Sequence, residues 1–190
     1  MDIEISSNYI LRKARIADQL HIIQLITGIL DTYGLAIDTK YTDRDLFDLD
    51  SCYFRNGGWF SVLENEEKMI IGSYGLIKVC DSQCELRKMY IDPLHQGKGL
   101  GKLMMREAFE KALDFGYKTM ILETNRKLFK AIKLYEKSGF TIYKPSHLSD
   151  RCDIGMKKDL RSTCGSTWVT RANPTRPPWI CCPRSGSKSI

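Results

Sequence analysis

Three glycines at alternate positions, in Gln96-Gly97-Lys98-Gly99-Leu100-Gly101, sit between an apolar stretch ending at Ile91 and an amphipathic stretch beginning at Leu100. A strand that runs through such a loop into a helix exposes the unpaired N–H groups of the first helical turn, at the positive end of the helix dipole. Glycine lets that backbone approach a ligand closely. A phosphate or pyrophosphate fits there, and an ordinary glycine-rich connection is the alternative.

Two nucleotide-binding patterns fit poorly. A P-loop needs a Lys-Ser/Thr pair after its last glycine, whereas Lys102-Leu103 follows Gly101 and the spacing is too short. The dinucleotide fingerprint G-x-G-x-x-G opens a first β-α-β unit, whereas this loop reads G-x-G-x-G and follows the sixth element of the chain.

The other elements follow from periodicity and stop signals. Asn8 to Arg12 reads as a strand. Ile16, Asp18 and the spacing Ile22, Ile26, Ile29, Tyr33 read as a capped amphipathic helix closed near Gly34. A second helix is expected from Thr42, an N-cap, with Asp43 and Asp45 in its first turn and Leu46, Leu49 and Tyr53 on one face. Trp59 to Leu63 and Met69 to Val79 form a hairpin across an acidic turn, followed by a strand from Cys84 to Ile91. The helix opened by the glycine loop ends at Gly116. Thr119 to Thr124 is a buried strand, Leu128 to Ser138 a helix capped by Gly139, and Thr141 to Lys144 and Asp153 to Lys157 the last strands. The order β-α-α-β-β-β-α-β-α-β-β predicts an α/β (α+β) fold with a mixed sheet and helices packed on it.

Charge marks where that fold should end. The chain of 190 residues carries 29 basic and 23 acidic side chains, a net of +6. Residues 161–190 hold Arg161, Arg171, Arg176, Arg184 and Lys188 and no acid, so residues 1–160 carry 24 basic against 23 acidic groups. The same segment holds four of the six prolines, which forbid a long helix or central strand. We therefore expect one domain over 1–160 and a basic, Pro-, Ser- and Cys-containing tail over 161–190 that is disordered or lies outside the fold. A basic arm with Trp168 and Trp179 could alternatively bind nucleic acid, but the near-neutral body argues against that partner. No apolar run approaches the length of a membrane span, and Met1 to Leu11 opens with two acids instead of a signal sequence. The expectation is a cytoplasmic protein with no membrane partner.

Three segments, in order, resemble the GCN5-related N-acetyltransferase (GNAT) superfamily. They are Glu85-Leu86-Arg87-Lys88-Met89-Tyr90-Ile91, the loop Gln96 to Gly101, which matches the Q/R-x-x-G-x-G/A acetyl-CoA signature, and Ala131-Ile132-Lys133-Leu134-Tyr135-Glu136-Lys137-Ser138-Gly139-Phe140. The resemblance covers about residues 8–158. One departure is Leu128, where many members have Asn, so no Asn contact is carried over to that position.

The resemblance implies a mostly antiparallel seven-stranded sheet with two splayed central parallel strands and about four helices. It also implies acetyl-CoA as co-substrate. The pantetheine arm would bond to the main chain around Met89, Tyr90 and Ile91, and the pyrophosphate would sit on the amides from Gln96 through Gly97, Lys98, Gly99, Leu100 and Gly101 to Lys102. An N–H near Tyr90 or Ile91, freed by a bulge, would act as oxyanion donor. The implied activity is N-acetyltransfer to a primary amine, a small molecule or amino acid, by direct attack in a ternary complex. A non-catalytic module that senses acyl-CoA or binds a protein partner is the alternative.

Glu85 is the first candidate for accepting the amine's proton, with a surface salt bridge as its structural alternative. Tyr135 resembles the tyrosine that protonates the departing thiolate, with core packing as its alternative. His147 and Tyr33 are candidate substrate contacts. His21 reads as a surface or packing residue and His95 as a loop residue. Asp38, Asp43, Asp45, Asp48 and Asp50 read as a solvated acidic face. The cysteines show no metal-ligand spacing, and Cys52, Cys80, Cys84 and Cys152 are expected to be free or buried thiols. The sheet edge made by the last strands is open to pairing with a second copy, as in a homodimer.

Overall fold

The computed structural model describes residues 3–6 and 8–163. Most of the segment expected to be a tail lies outside the described residues. Within them, one sheet is built from β1 (Ile3–Ser6), β2 (Tyr9–Lys13), β3 (Trp59–Asn65), β4 (Ile70–Cys80), β5 (Gln83–Ile91), β6 (Thr119–Thr124), β7 (Thr141–Tyr143) and β8 (Ile154–Asp159). Its spatial order is β1-β2-β3-β4-β5-β6-β8-β7. The only parallel neighbours among the described residues are β5 and β6. The expected mostly antiparallel sheet with a central parallel pair is therefore present, and β1 extends it by an eighth strand paired with β2.

Helices α1 (Gln19–Thr32), α2 (Leu100–Asp114) and α3 (Phe129–Lys137) cover the sheet. Their apolar stripes bury against opposite faces, which is the main source of stability in such a layered fold. On one face, Ile22, Ile26 and Leu30 of α1 pack with Tyr53, Phe60 and Val62. On the other, Met104 and Ala108 of α2 and Tyr135 of α3 pack with Leu86, Leu122 and Met156. Gly139, with φ of 87°, ends α3 in the left-handed conformation its sequence predicts. No helix among the described residues is long and apolar enough to cross a membrane.

The helix expected from Thr42 does not form. The segment is a 3₁₀ turn, Arg44–Phe47, followed by a π-helical turn, Asp50–Phe54. Its apolar face is as predicted, with Leu46, Leu49 and Tyr53 fully buried. Charge breaks the regular helix. Asp43 and Asp45 do not sit in a solvated first turn; they are 0% and 6% exposed and face Lys88, Arg151 and Arg87 of other elements. The local turn is capped by Asp38 instead, which accepts from the amides of Lys40, Tyr41 and Thr42. The acidic face read from the sequence is thus internal at these two positions.

Candidate functional site

The parallel ladder between β5 and β6 runs only from Gln83–Thr119 to Leu86–Leu122, although β6 continues its pairing with β8 to Thr124. Beyond Leu86 the two strands part. The wedge between them is a cleft of about 270 Å³, walled by Arg87 to Ile91, the glycine loop and the buried side of α3.

A bulge shapes its β5 wall. Ser73 and Gly75 of β4 oppose Tyr90 and Arg87, so β5 carries one extra residue between them. Lys88 sits in this bulge with φ of 55°, a conformation disfavoured for any residue with a side chain. Two contacts hold it: Ser73 Oγ donates to its carbonyl at 2.9 Å, and its Nζ donates to Thr42 O at 2.8 Å and to Asp43. The bulge also breaks the strand's alternation. Arg87 and Lys88 are consecutive, yet both reach Thr42 O, Arg87 Nη2 at 2.6 Å. Met89 and Ile91 then pack toward α2 and α3, and Tyr90 toward α1. The expected bulge is real, two residues before Tyr90.

At the mouth of the cleft, Gly97 and Gly99 have φ of 81° and 80°, and Gly99 is the N-cap of α2. A Cβ at either position would meet nothing within 4 Å, so glycine is needed there for backbone conformation. Gly101 differs: its Cβ would lie 3.2 Å from Leu134, so its small size lets α2 approach α3. Gln96 uses its side chain to tie the wall together, donating to Ile91 O and accepting from Lys130 Nζ, both at 3.0 Å. Lys98 is exposed and donates to Tyr9 OH at 2.9 Å, and Lys102 is exposed in the first turn of α2. His95 lines the cleft and lies 3.5 Å from Tyr9 OH.

Tyr135 and Tyr33 line the same cleft. Tyr135 is 7% exposed, its hydroxyl makes no hydrogen bond among the described residues, and burial pushes that hydroxyl well above the usual phenol range. It is therefore a fully protonated phenol at neutral pH.

A second cavity, of about 50 Å³, adjoins the first and shares Arg87, Lys88, Tyr90, Glu123 and Thr124 with it. Glu85, Arg151, Ser149 and Cys152 belong to this smaller space alone. Burial raises the Glu85 carboxyl above its ordinary value; Arg87 and Lys88 oppose the shift, and Glu123 and Asp45 add to it. Glu123 is the residue that sequence reading missed. It follows Ile121 on the same face of β6, beside Glu85, and its Oε2 accepts from Ser149 N at 3.0 Å and Ser149 Oγ at 2.5 Å. The signal was its position, one residue past Leu122, where the parallel ladder ends. Burial likewise pushes the Tyr90 hydroxyl up to about 12. His147 is exposed and lines neither cavity, so the fold does not bring it to the others. Cys52, Cys80, Cys84 and Cys152 are free thiols.

Comparison with known proteins agrees with this geometry. The sequence model described as the Acetyltransferase (GNAT) family matches residues 24–140. The chain is 36% identical over 136 residues to an uncharacterized N-acetyltransferase of Escherichia coli K12, YjgM, covering 69% of this chain and 81% of that one. A solved GNAT-family acetyltransferase from Staphylococcus aureus Mu50 superposes with a TM-score of 0.75 at 22% identity, over 80% of this chain and 99% of that one. A Salmonella typhimurium protein solved with its cofactor acetyl-CoA gives 0.60 at 22% identity, over 88% and 98%. At these identities the structures share the fold with this chain.

Proposed function

Because the chain belongs to the acetyltransferase (GNAT) family, we propose that it moves the acetyl group of acetyl-CoA to the primary amine of a small molecule or amino acid within a ternary complex. The observation that carries this reading is the junction of two cavities at the parting of β5 and β6. One is long and mostly apolar with a glycine loop at its mouth; the other is small and charged.

The backbone of Arg87 to Ile91, which β6 leaves unpaired on its side, would hold the pantetheine arm as an added strand. The amides from Gly97 to Leu103, with Lys98 and Lys102, would hold the pyrophosphate at the positive end of α2. Strand residues next to the bulge would turn a main-chain N–H toward the thioester oxygen. In the smaller cavity, Glu85 or Glu123 would accept the proton released as the amine nitrogen bonds to the acetyl carbon. As the carbon–sulfur bond breaks, Tyr135 would give its phenolic proton to the departing thiolate. The same reading puts the domain boundary near Leu160, which is 1% exposed and donates its N–H to Lys118 O at 2.9 Å.

An acetylation assay over a panel of amines, read by the free thiol of CoA, tests the proposal. Release of CoA that depends on an amine supports it. Stabilisation by acetyl-CoA with no CoA release from any amine would identify a sensing module instead.

A further inference from the structure

The charged groups around the smaller cavity are not all held equally tightly, and the loosest of the cations points to the acceptor. Asp43 is wholly buried and takes both Lys88 and Arg151. Asp45 lies 3.1 Å from Lys88 Nζ and accepts from Tyr53 OH at 2.5 Å. Lys88 and Arg151 are thus matched within the chain.

Arg87 is held more loosely. A guanidinium carries five N–H donors, and among the described residues Arg87 uses one, to Thr42 O at 2.6 Å. It forms ion pairs with Asp45 and Glu85, each 3.6 Å from its Nε, too long for a hydrogen bond. Its side chain is 22% exposed. It lines both cavities, beside Tyr90. Donors left free of the chain and facing a cavity are available to a ligand acceptor.

Resting on the acetyltransfer reading, we propose that the acceptor is an amine bearing a carboxylate close to its nitrogen, as in an α-amino acid, and that Arg87 is the specificity residue receiving that carboxylate. The planar fork of Arg matches a carboxylate in a bidentate way that no other side chain does. Glu85, next to Arg87 on the same face of β5, and Glu123 on β6 lie where the ammonium end of such a molecule would sit. A zwitterion therefore meets both signs of charge in the orientation the strands present.

The test compares each of the twenty L-amino acids with its own carboxamide, and adds spermine, in the acetylation assay with the full chain. For the amino acids that turn over, kcat/KM should exceed that of the carboxamide by about tenfold or more, the scale of a desolvated charge pair. In Arg87→Gln that ratio should fall to near one, and in Arg87→Lys, which keeps the charge but loses the fork, to an intermediate value. Thermal stabilisation by acetyl-CoA shows that each variant is folded; if Arg87→Gln is not, the ratio in Arg87→Lys decides alone. A ratio near one in the native protein, or one left intact by either folded variant, overturns the proposal. So does turnover confined to amines without a carboxylate, which leaves the acetyltransfer reading standing. Acetylation of no amine at all overturns both.

Discussion

Arg151 grips Asp43 through both of its terminal nitrogens across 108 residues of chain, Nη2 donating to Oδ1 at 2.9 Å. Lys88 reaches the same carboxylate from the bulge of β5. One buried acid therefore ties together the segment after α1, the strand that walls the cleft and the loop between β7 and β8, three of the sides of the smaller cavity. Burial disfavours the ionised carboxyl, but Arg151 and Lys88 outweigh it and hold Asp43 below its ordinary value.

Replacing Asp43 by Asn should therefore strand Arg151, leave Lys88 to Asp45 alone and lower the unfolding free energy by about 3–5 kcal/mol at neutral pH, read by urea denaturation. The sign with pH follows. A carboxyl that ionises lower when folded stabilises the protein above its unfolded value and ceases to do so as pH falls through the folded one. The gap between native protein and Asp43→Asn should narrow in acid. A loss below about 1 kcal/mol, the range of exposed pairs, would show that water screens the cluster.

The glycine loop makes a separate prediction about binding. Gly99 has φ of 80° and open space where a Cβ would lie, so Gly99→Ala strains the backbone without a clash. The strain, about 1–2 kcal/mol, should appear as a five- to thirtyfold rise in KM for acetyl-CoA with kcat nearly unchanged, since the amides bind ground state and transition state alike. An unchanged KM would show that the loop does not carry the pyrophosphate.

The frame of this site was legible in the sequence and its charged part was not. Gly139 adopts the left-handed backbone its place after the helix predicts, and Gly97 and Gly99, read as letting the backbone approach a ligand, adopt it too. The splay of β5 from β6 follows from the resemblance and is present. Arg87 and Lys88 were unreadable because strand alternation puts neighbours on opposite faces, and a bulge locates itself only through pairing with Ser73 and Gly75. Asp43 and Asp45 looked like surface acids because their partners lie on other elements, Lys88 and Arg151. His147 sits in a loop whose path no periodicity sets.

Tyr135 is the residue to change at the leaving-group end. Its hydroxyl is buried, protonated and without a hydrogen bond among the described residues, so Tyr135→Phe removes one oxygen and little packing. If that phenol protonates the thiolate, kcat should fall about a hundredfold, the lower end of general-acid effects, while stabilisation by acetyl-CoA is retained. An unchanged kcat would assign Tyr135 to the core alone.

The pH dependence of the rate separates the two carboxylates. Burial raises Glu85, and the neighbouring charge of Glu123 raises it further, so its ionised form appears only above the ordinary value of 4.5. A base acts when ionised. The acid limb of kcat/KM should thus lie above the usual glutamate range, with activity rising as pH climbs through it. Glu123→Gln removes a negative neighbour, lets Glu85 lose its proton more readily and should move that limb to lower pH. Glu85→Gln should abolish it, leaving only the rise set by the acceptor amine's own deprotonation. Profiles of the three proteins with one acceptor suffice. Loss of the limb in Glu123→Gln alone would transfer the base to Glu123, and a limb that neither substitution moves belongs to the amine.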